Sequence, residues 1–522
     1  MSRREWVPPV ELSSRESRIL KRCKSRKIFI FLREHRHALL TSEFRARLWA
    51  MYSESERGKA RVDPALLAMA TLLQAAVGVA DREAVELTLD SQRWRMVLDH
   101  WDEETPAFSQ GTLFNFRERL IAHDMDRELL ERTVALVREV GGFSVAKLRV
   151  AFDASPLRGA GRVEDTFNLI GRAARRVVES AADHSGEPVD VVIERSGIPL
   201  LGHSSMKAAL DRDWGDRNAR SEAISELLEQ VRSLETWLQS ELAEEMKRNP
   251  LKERWEMLES LIEQDTEPDP DGPGHRIKRG TARDRQVSVG DPAMRHGRKT
   301  KTSRFDGFKR HIASDLDTGA ICAVTVTPGN APEREGAEAL LTDVERGGPV
   351  VQLFTDRGYL GAEAVEERRA EGMEHVCKPF PLRNRGRFTK QDFVLNLRSE
   401  TVTCPNGVTR PLRLGKPTRF PASSCDSCPK RAQCTTAATG RGRSLNIHAQ
   451  EGFLIQLRER VSTPEGRRSL RQRVPVEHAL ASVERSQTKR ARYKGLRKNV
   501  FDVRRHAAVH NLHVAERILR AA

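Results

Sequence analysis

The apolar positions of this chain change period along its length, and each change marks a candidate element. Residues 65–75 are apolar nearly all round, the pattern of a buried helix, and Asp63-Pro64 ahead of them supplies an N-cap and a first-turn proline. Asp81-Arg82-Glu83-Ala84 opens a second helix, and residues 109–120 form a third with Arg117 and Arg119 on its exposed face. Residues 1–145 therefore read as helical. Residues 147–153 are strand-like and stop at Asp153, and residues 350–356 are a second β-favouring run stopping at Asp356. Between them, Ile224, Leu228, Val231, Leu234, Leu238 and Leu242 recur at three- and four-residue spacing. The stripe breaks at Asn249-Pro250 and resumes at Leu251, Trp255, Leu258 and Ile262, so residues 216–265 are expected to be an inserted helical hairpin, packed as a pair in preference to dimerising. Residues 266–274 form a loop. The chain then turns β-rich, with a hairpin turn at 315–319 and a helix from Glu335 to Thr342 leading into the second run. A basic helical stretch closes the chain.

These elements predict an α/β (α+β) protein with a ribonuclease-H-like core interrupted twice. The expected divisions are a helical domain (1–145), a first part of the core (146–215), the hairpin (216–265), the core continued (275–372), a cysteine-rich insertion (373–450) and a last part with a basic tail (451–522). At 522 residues the chain is too long for a single core.

Charge narrows the partners. Lys+Arg total 89 against 74 Asp+Glu, a net +15, and the pI is near 9.7. Such a balance favours polyanions. The nine Lys/Arg between Arg485 and Arg505, interleaved with Tyr493 and Phe501, are expected to follow a phosphate backbone. No apolar run reaches the roughly 20 residues needed to cross a bilayer, and no secretory segment opens the chain, so a cytoplasmic, nucleoid-associated protein of bacterial type is expected.

Four of the seven cysteines cluster as Cys404-x20-Cys425-x2-Cys428-x5-Cys434, flanked by turn residues. Four thiolates around one tetrahedral ion make a closed structural zinc site, with an iron–sulfur cluster or free thiols as the rival readings. Cys23, Cys322 and Cys377 stand alone and are expected to be ordinary thiols.

Asp153 and Asp356 each end a strand-like run, and Glu477 lies in a helix opened by Pro475. Two strand-end aspartates and a helix glutamate can converge on a pair of divalent ions, the arrangement that serves phosphoryl transfer. Asp165 and Asp306 are competing acids, read as hydrogen-bonding supports, while His311 and His478 are read as scaffold or DNA contacts.

The order of short motifs resembles the insertion-sequence transposases of the DDE type, in the branch that includes the IS eleven-eighty-two group. The motifs are Asp63-Pro64, Asp153-Ala154-Ser155-Pro156, Glu164-Asp165-Thr166, Asp306-Gly307-Phe308-Lys309, Thr327-Pro328-Gly329-Asn330 and Asp356-Arg357-Gly358-Tyr359. They continue in the cysteine module, Arg473-x3-Glu477, Arg490-Ala491-Arg492-Tyr493-x-Gly495 and Asn511-Leu512. The resemblance implies a ribonuclease-H-like fold and Asp153, Asp356 and Glu477 as catalytic ligands of two Mg²⁺ ions, with Mn²⁺ able to serve. It also implies double-stranded DNA as partner, both inverted-repeat ends and target, and a homodimer when two ends are held. Leu470 stands where related enzymes carry Tyr, and Glu484 where they carry Lys, which makes Glu484 a rival third ligand. Arg485 and Lys489 are the nearest cations to replace that Lys. The expected DNA contacts are Arg473, Arg485, Lys489, Arg490, Arg492 and Lys494, with Arg117 and Arg119 in the helical domain. A nuclease that cuts without joining, and an inactive transposase-derived DNA-binding protein, are the alternatives.

Overall fold

Strand β1 (Leu148–Arg158) organises the molecule. The computed structural model describes residues 5–22, 25, 27–53, 61–144 and 147–521; Cys23 lies outside them. With β1 stand β2 (Arg295–Arg298), β3 (Arg304–Asp315), β4 (Ile321–Pro328), β5 (Val350–Phe354) and β6 (Glu374–Val376). The sheet runs β4-β3-β1-β5-β6, with β2 pairing the first residues of β3. β3 is antiparallel to β1 and to β4, whereas β5 is parallel to β1 and β6 parallel to β5. The β3–β4 hairpin turns where the loop residues predicted, with Gly319 at φ 76° donating its N–H to Asp315 O at 2.8 Å. This mixed α/β architecture fits a ribonuclease-H-like core.

β1 does not stop at Asp153, as the apolar run suggested. It continues to Arg158, pairing with β3 through Asp153↔Ile312 and Pro156↔Lys309. The β1–β5 ladder ends earlier, at Ala151↔Phe354. Leu148 donates its N–H to the β5 side, to Pro349 O, and Arg158, of the same parity, donates to Lys489 O on that side. Pro156 shares this parity, so its missing N–H falls where β5 has already ended, which is why a proline is tolerated inside the strand.

The sheet buries both faces. Val150 and Phe152 point to one, where they meet Leu340, Leu341 and Val344 of the crossover helix α7 (defined below). Ala151, Leu157 and Phe354 point to the other. In chain order the helices that matter are α1 (Pro64–Val77), α2 (Gln110–Ala122), α3 (Met125–Gly141), α4 (Thr166–Ser185), α5 (Arg217–Glu241), α6 (Leu251–Asp265), α7 (Ala337–Glu345), α8 (Val474–Gln487) and α9 (Leu496–Ala521). Asp63 caps α1, accepting from Ala65 N at 2.7 Å, and every residue from Pro64 to Ala75 is buried. The second sheet face, α1, α3, α8 and α9 share one continuous core. The N-terminal helices are thus bonded to the catalytic-core segments by packing, not tethered beside them.

The basic tail departs from expectation for the same reason. Residues 501–512 of α9 are buried. Arg505 pairs with Asp502 at 2.6 Å, and Arg504 with Asp124 at 2.5 Å and Asp343 at 3.2 Å. Arg504 is neutralised inside the protein by acids remote in sequence and Arg505 by one a turn earlier on its own helix, so a count of Lys/Arg along the tail overstated the charge open to DNA.

A second core joins α5 and α6 through Ile224, Leu228, Val231, Leu234, Leu238, Trp255 and Leu258. It takes in α4 as well, through Phe167, Ile170 and Val177, so the helical material between β1 and β2 begins near Thr166. A third, small core of Phe393, Val402, Leu412, Phe420, Leu445 and Ile447 carries the cysteine segment. Among the described residues no single helix is long and apolar enough to cross a membrane; the bent pair Pro64–Val77 and Asp81–Asp90 passes by length and composition, but α1 is the buried centre of the main core.

Candidate active site

Asp153 and Asp356 each lie two residues beyond the last β1–β5 pair, Ala151↔Phe354. Two residues restore the facing of a strand side chain, so Asp153 points with Ala151 to the face on which α8 packs. Asp356 has left the strand and caps the turn Arg357–Tyr359, accepting from Gly358 N at 2.8 Å. α8 sets Val476, Ala479, Leu480 and Val483 into the core, which leaves Glu477 on the side facing the cleft. Asp153, Asp356 and Glu477 line one cleft of about 410 Å³, together with Glu333, Lys309 and Arg473.

Arg473 sits among these acids. Its guanidinium donates to Asp153 Oδ1 at 2.6 Å and to Glu477 Oε1 at 2.9 Å. Burial pushes the Asp153 carboxyl above its usual range, with the Arg473 charge opposing and the charges of Asp356 and Glu477 adding to the rise. Burial likewise pushes Glu333 up to about 7, helped by the negative charge of Asp356, with which it shares a hydrogen bond. Sequence reasoning missed this fourth acid; the only signal was its place three residues after Thr327-Pro328-Gly329-Asn330. Gly358 makes the approach possible, because a Cβ there would collide with the Glu333 carboxylate. Tyr359 is buried and its hydroxyl meets His311 Nδ1 at 2.8 Å, while His311 Nε2 meets Thr327 at 2.9 Å. His311, its pKa lowered by burial to about 3, is a neutral strut under the Asp356 turn.

Glu484 also lines the cleft but lies 3.9 Å from the buried Arg310 guanidinium. Arg310 in turn bonds Ser155 Oγ, Pro156 O, Gln487 Oε1 and Thr488 O, tying the far half of β1 to the end of α8. Asp165 caps α4, and Asp306 meets His296 Nδ1 at 2.5 Å, so neither joins the cluster.

The expected DNA contacts divide. Arg485, Lys489, Arg490, Arg492 and Lys494 are exposed. Arg492 is nonetheless committed, to Val79 O at 2.9 Å and Asp81 Oδ1 at 3.2 Å. Arg119 is half-buried, over the Tyr52 ring at 4.6 Å. Arg117 is not exposed at all: it is 3% accessible and forks onto both Asp81 oxygens at 2.9 and 2.5 Å. Helical spacing placed Arg117 on a polar face, but that face packs against the start of the helix opened by Asp81. Its expected role as an exposed DNA contact is withdrawn.

Cys404, Cys425, Cys428 and Cys434 line one small cavity of about 30 Å³. Burial raises the Cys434 pKa, and the other three thiols add to the rise. Among the described residues no group of three or more His, Cys, Asp or Glu is arranged to hold a metal ion, and this covers both the acids and the cysteines. Cys322 and Cys377 are core thiols, raised by burial to about 12.

Comparison with known proteins places these features. A family model described as Transposase DDE domain matches residues 274–512, which include Asp356 and Glu477, and one described as Transposase domain (DUF772) matches residues 18–119. Neither the curated proteins nor the solved structures gave a match. Two independent transposase matches, one on the N-terminal helices and one running from ahead of β2 through most of α9, agree with the strand order and the acid-lined cleft. The chain belongs to the insertion-sequence transposases of the DDE type, enzymes that bind the DNA ends of their element and cut nucleic acid.

Proposed function

We propose that Asp153, Asp356 and Glu477 hold two Mg²⁺ ions, for which Mn²⁺ can substitute, and that the chain cuts each element end and joins the freed 3′-OH to target DNA. The meeting of acids from β1, the end of β5 and α8 in one cleft carries this reading. Their donor chemistry suits a hard divalent cation, and transposases of this family generally use such ions. When bound, the ions supply activation of the attacking oxygen and neutralisation of the leaving one.

Arg473 supports the assignment. Clustered carboxylates need positive charge between them, and the Arg473 guanidinium supplies it between Asp153 and Glu477. One ligand direction on Asp153 and one on Glu477 is taken by an Arg473 N–H. With ions held by the acids, Arg473 would be free to turn its fork to a scissile-strand phosphate, the geometry guanidinium favours. Glu333, packed against the Asp356 turn at Gly358, positions Asp356. Glu477 is preferred to Glu484 because its charge, with that of Asp356, is felt at Asp153, whereas Glu484 serves Arg310. Two ends handled together call for a homodimer on DNA.

A structural Zn²⁺ at Cys404, Cys425, Cys428 and Cys434 belongs to the same proposal. Four thiols around a single cavity are the donor set of a closed site. An iron–sulfur cluster is the rival occupant.

Product analysis tests the function. Purified protein, inverted-repeat end DNA, a target plasmid and Mg²⁺ are expected to yield cut ends and then plasmid-joined ends. Cutting with no joined product would favour the nuclease reading instead.

A further inference from the structure

The acids open on two sides. One side is the cleft already described, whose basic rim is Arg298, Lys299 and Lys309. The other is a separate cavity of about 550 Å³ that shares Asp356, Arg473 and Glu477 with the first. Its rim carries Arg357, Lys378, Arg467 and Arg471. All four are exposed, and among the described residues none has a carboxylate within ion-pair distance. Arg357 and Arg467 are steadied by carbonyls, Nε of Arg357 on Pro379 O at 2.8 Å and Nη1 of Arg467 on Ser462 O at 2.7 Å. Of the cations expected to contact DNA from the sequence, Arg117, Arg492, Arg504 and Arg505 are paired with acids, whereas Arg485, Lys489, Arg490 and Lys494 are exposed like the cavity's four. Cations held in place yet left without counter-charge, beside a carboxylate cluster that repels phosphate, are suited to draw a polyanion in.

The two sides lead in different directions. From the first cleft β1 runs on to Arg158, which bonds Lys489 O and receives Ala491 N; Arg492, next along, is bound to Val79 and Asp81 at the N-terminal helices. The second cavity instead borders Lys378, where the chain leaves β6 for the cysteine segment, and Arg467 and Arg471 on the helix Pro464–Arg471. Joining brings two DNA molecules to one set of acids, and in-line displacement requires the attacking and leaving oxygens to lie on opposite sides of phosphorus.

We infer that the second cavity seats the target DNA, with Arg357, Lys378, Arg467 and Arg471 as backbone-contacting residues, while the element end lies along the first cleft toward the N-terminal helices. This rests on the cut-and-join reading above. The contacts are to phosphates, so they carry no sequence preference.

The full-length R467Q/R471Q protein tests it, with end cutting and plasmid joining measured on the same DNA. Cutting is expected to stay within about two-fold of wild type, whereas joining falls on the order of ten-fold or more, the scale of losing charge-assisted contacts. Binding to a random-sequence duplex should have a salt slope shallower by roughly 0.9 for each lost contact. Retained cutting shows that the variant is folded. Cutting and joining lost in equal measure would instead assign the cavity to the element end, and unchanged joining would remove DNA from it; either overturns the inference. Wild-type protein that cuts and never joins is a different result, and it sinks the parent reading.

Discussion

An Asp153→Asn protein is expected to bind end DNA at least as well as wild type and to lose cutting by a factor on the order of 10³ or more, the several kcal/mol that divalent ions contribute to phosphoryl transfer. The two effects have opposite signs because the carboxylate repels phosphate while serving the chemistry, and affinity comes mainly from Lys and Arg contacts to the backbone. Asp356→Asn and Glu477→Gln should behave alike. Glu484→Gln should not: it lies beside Arg310, which keeps hydrogen bonds to Ser155, Gln487 and two carbonyls without it. Cutting assays with matched binding isotherms decide the matter. A dead Glu484→Gln protein beside an active Glu477→Gln one would exchange the third ligand.

The second large effect concerns the cysteines. Wild-type protein is expected to retain about one zinc per chain through dialysis, and a C425S/C428S protein none. The core under the cysteine segment has only six fully buried apolar residues, Phe393, Val402, Leu412, Phe420, Leu445 and Ile447. So small a core depends on a staple, and metal-binding energy at such a site is folding energy. The segment should therefore open locally and become protease-sensitive within 380–450, while the larger cores keep the rest folded. Metal-free wild-type protein, or a variant with unchanged proteolysis and melting, would reduce the cluster to free thiols. Iron with sulfide in place of zinc would identify the rival occupant.

What was legible in the sequence was local. The stripe from Ile224 to Leu242 and its resumption at Leu251 gave α5 and α6, and Asp63-Pro64 gave the start of α1, because helical period and capping act within a few residues. Asp153, Asp356 and Glu477 stood out from their segments and do share a cleft. What failed was partnership over distance. Arg117 reads as a polar-face residue until Asp81 is brought against it. Arg504 reads as tail charge until Asp124 and Asp343 neutralise it. Glu333 is one glutamate in an acidic run, Glu333-Arg334-Glu335, and only the closing of the Asp356 turn at Gly358 gives it a role. The end of β1 was misplaced because the unbroken apolar run stops at Phe152, whereas β1 continues to Arg158 through β3 pairing and the bonds of Arg158 to Lys489 and Ala491.

The most direct measurement replaces one non-bridging oxygen of the scissile phosphate with sulfur. If the acids hold divalent ions against that phosphate, one sulfur isomer should be cut poorly in Mg²⁺, a hard ion that prefers oxygen, and cut well again in the softer Mn²⁺. The Asp153→Asn protein should show no such recovery. Oxygen and sulfur substrates cut at equal rates in Mg²⁺, with no gain from Mn²⁺, would contradict a metal-holding role for Asp153, Asp356 and Glu477.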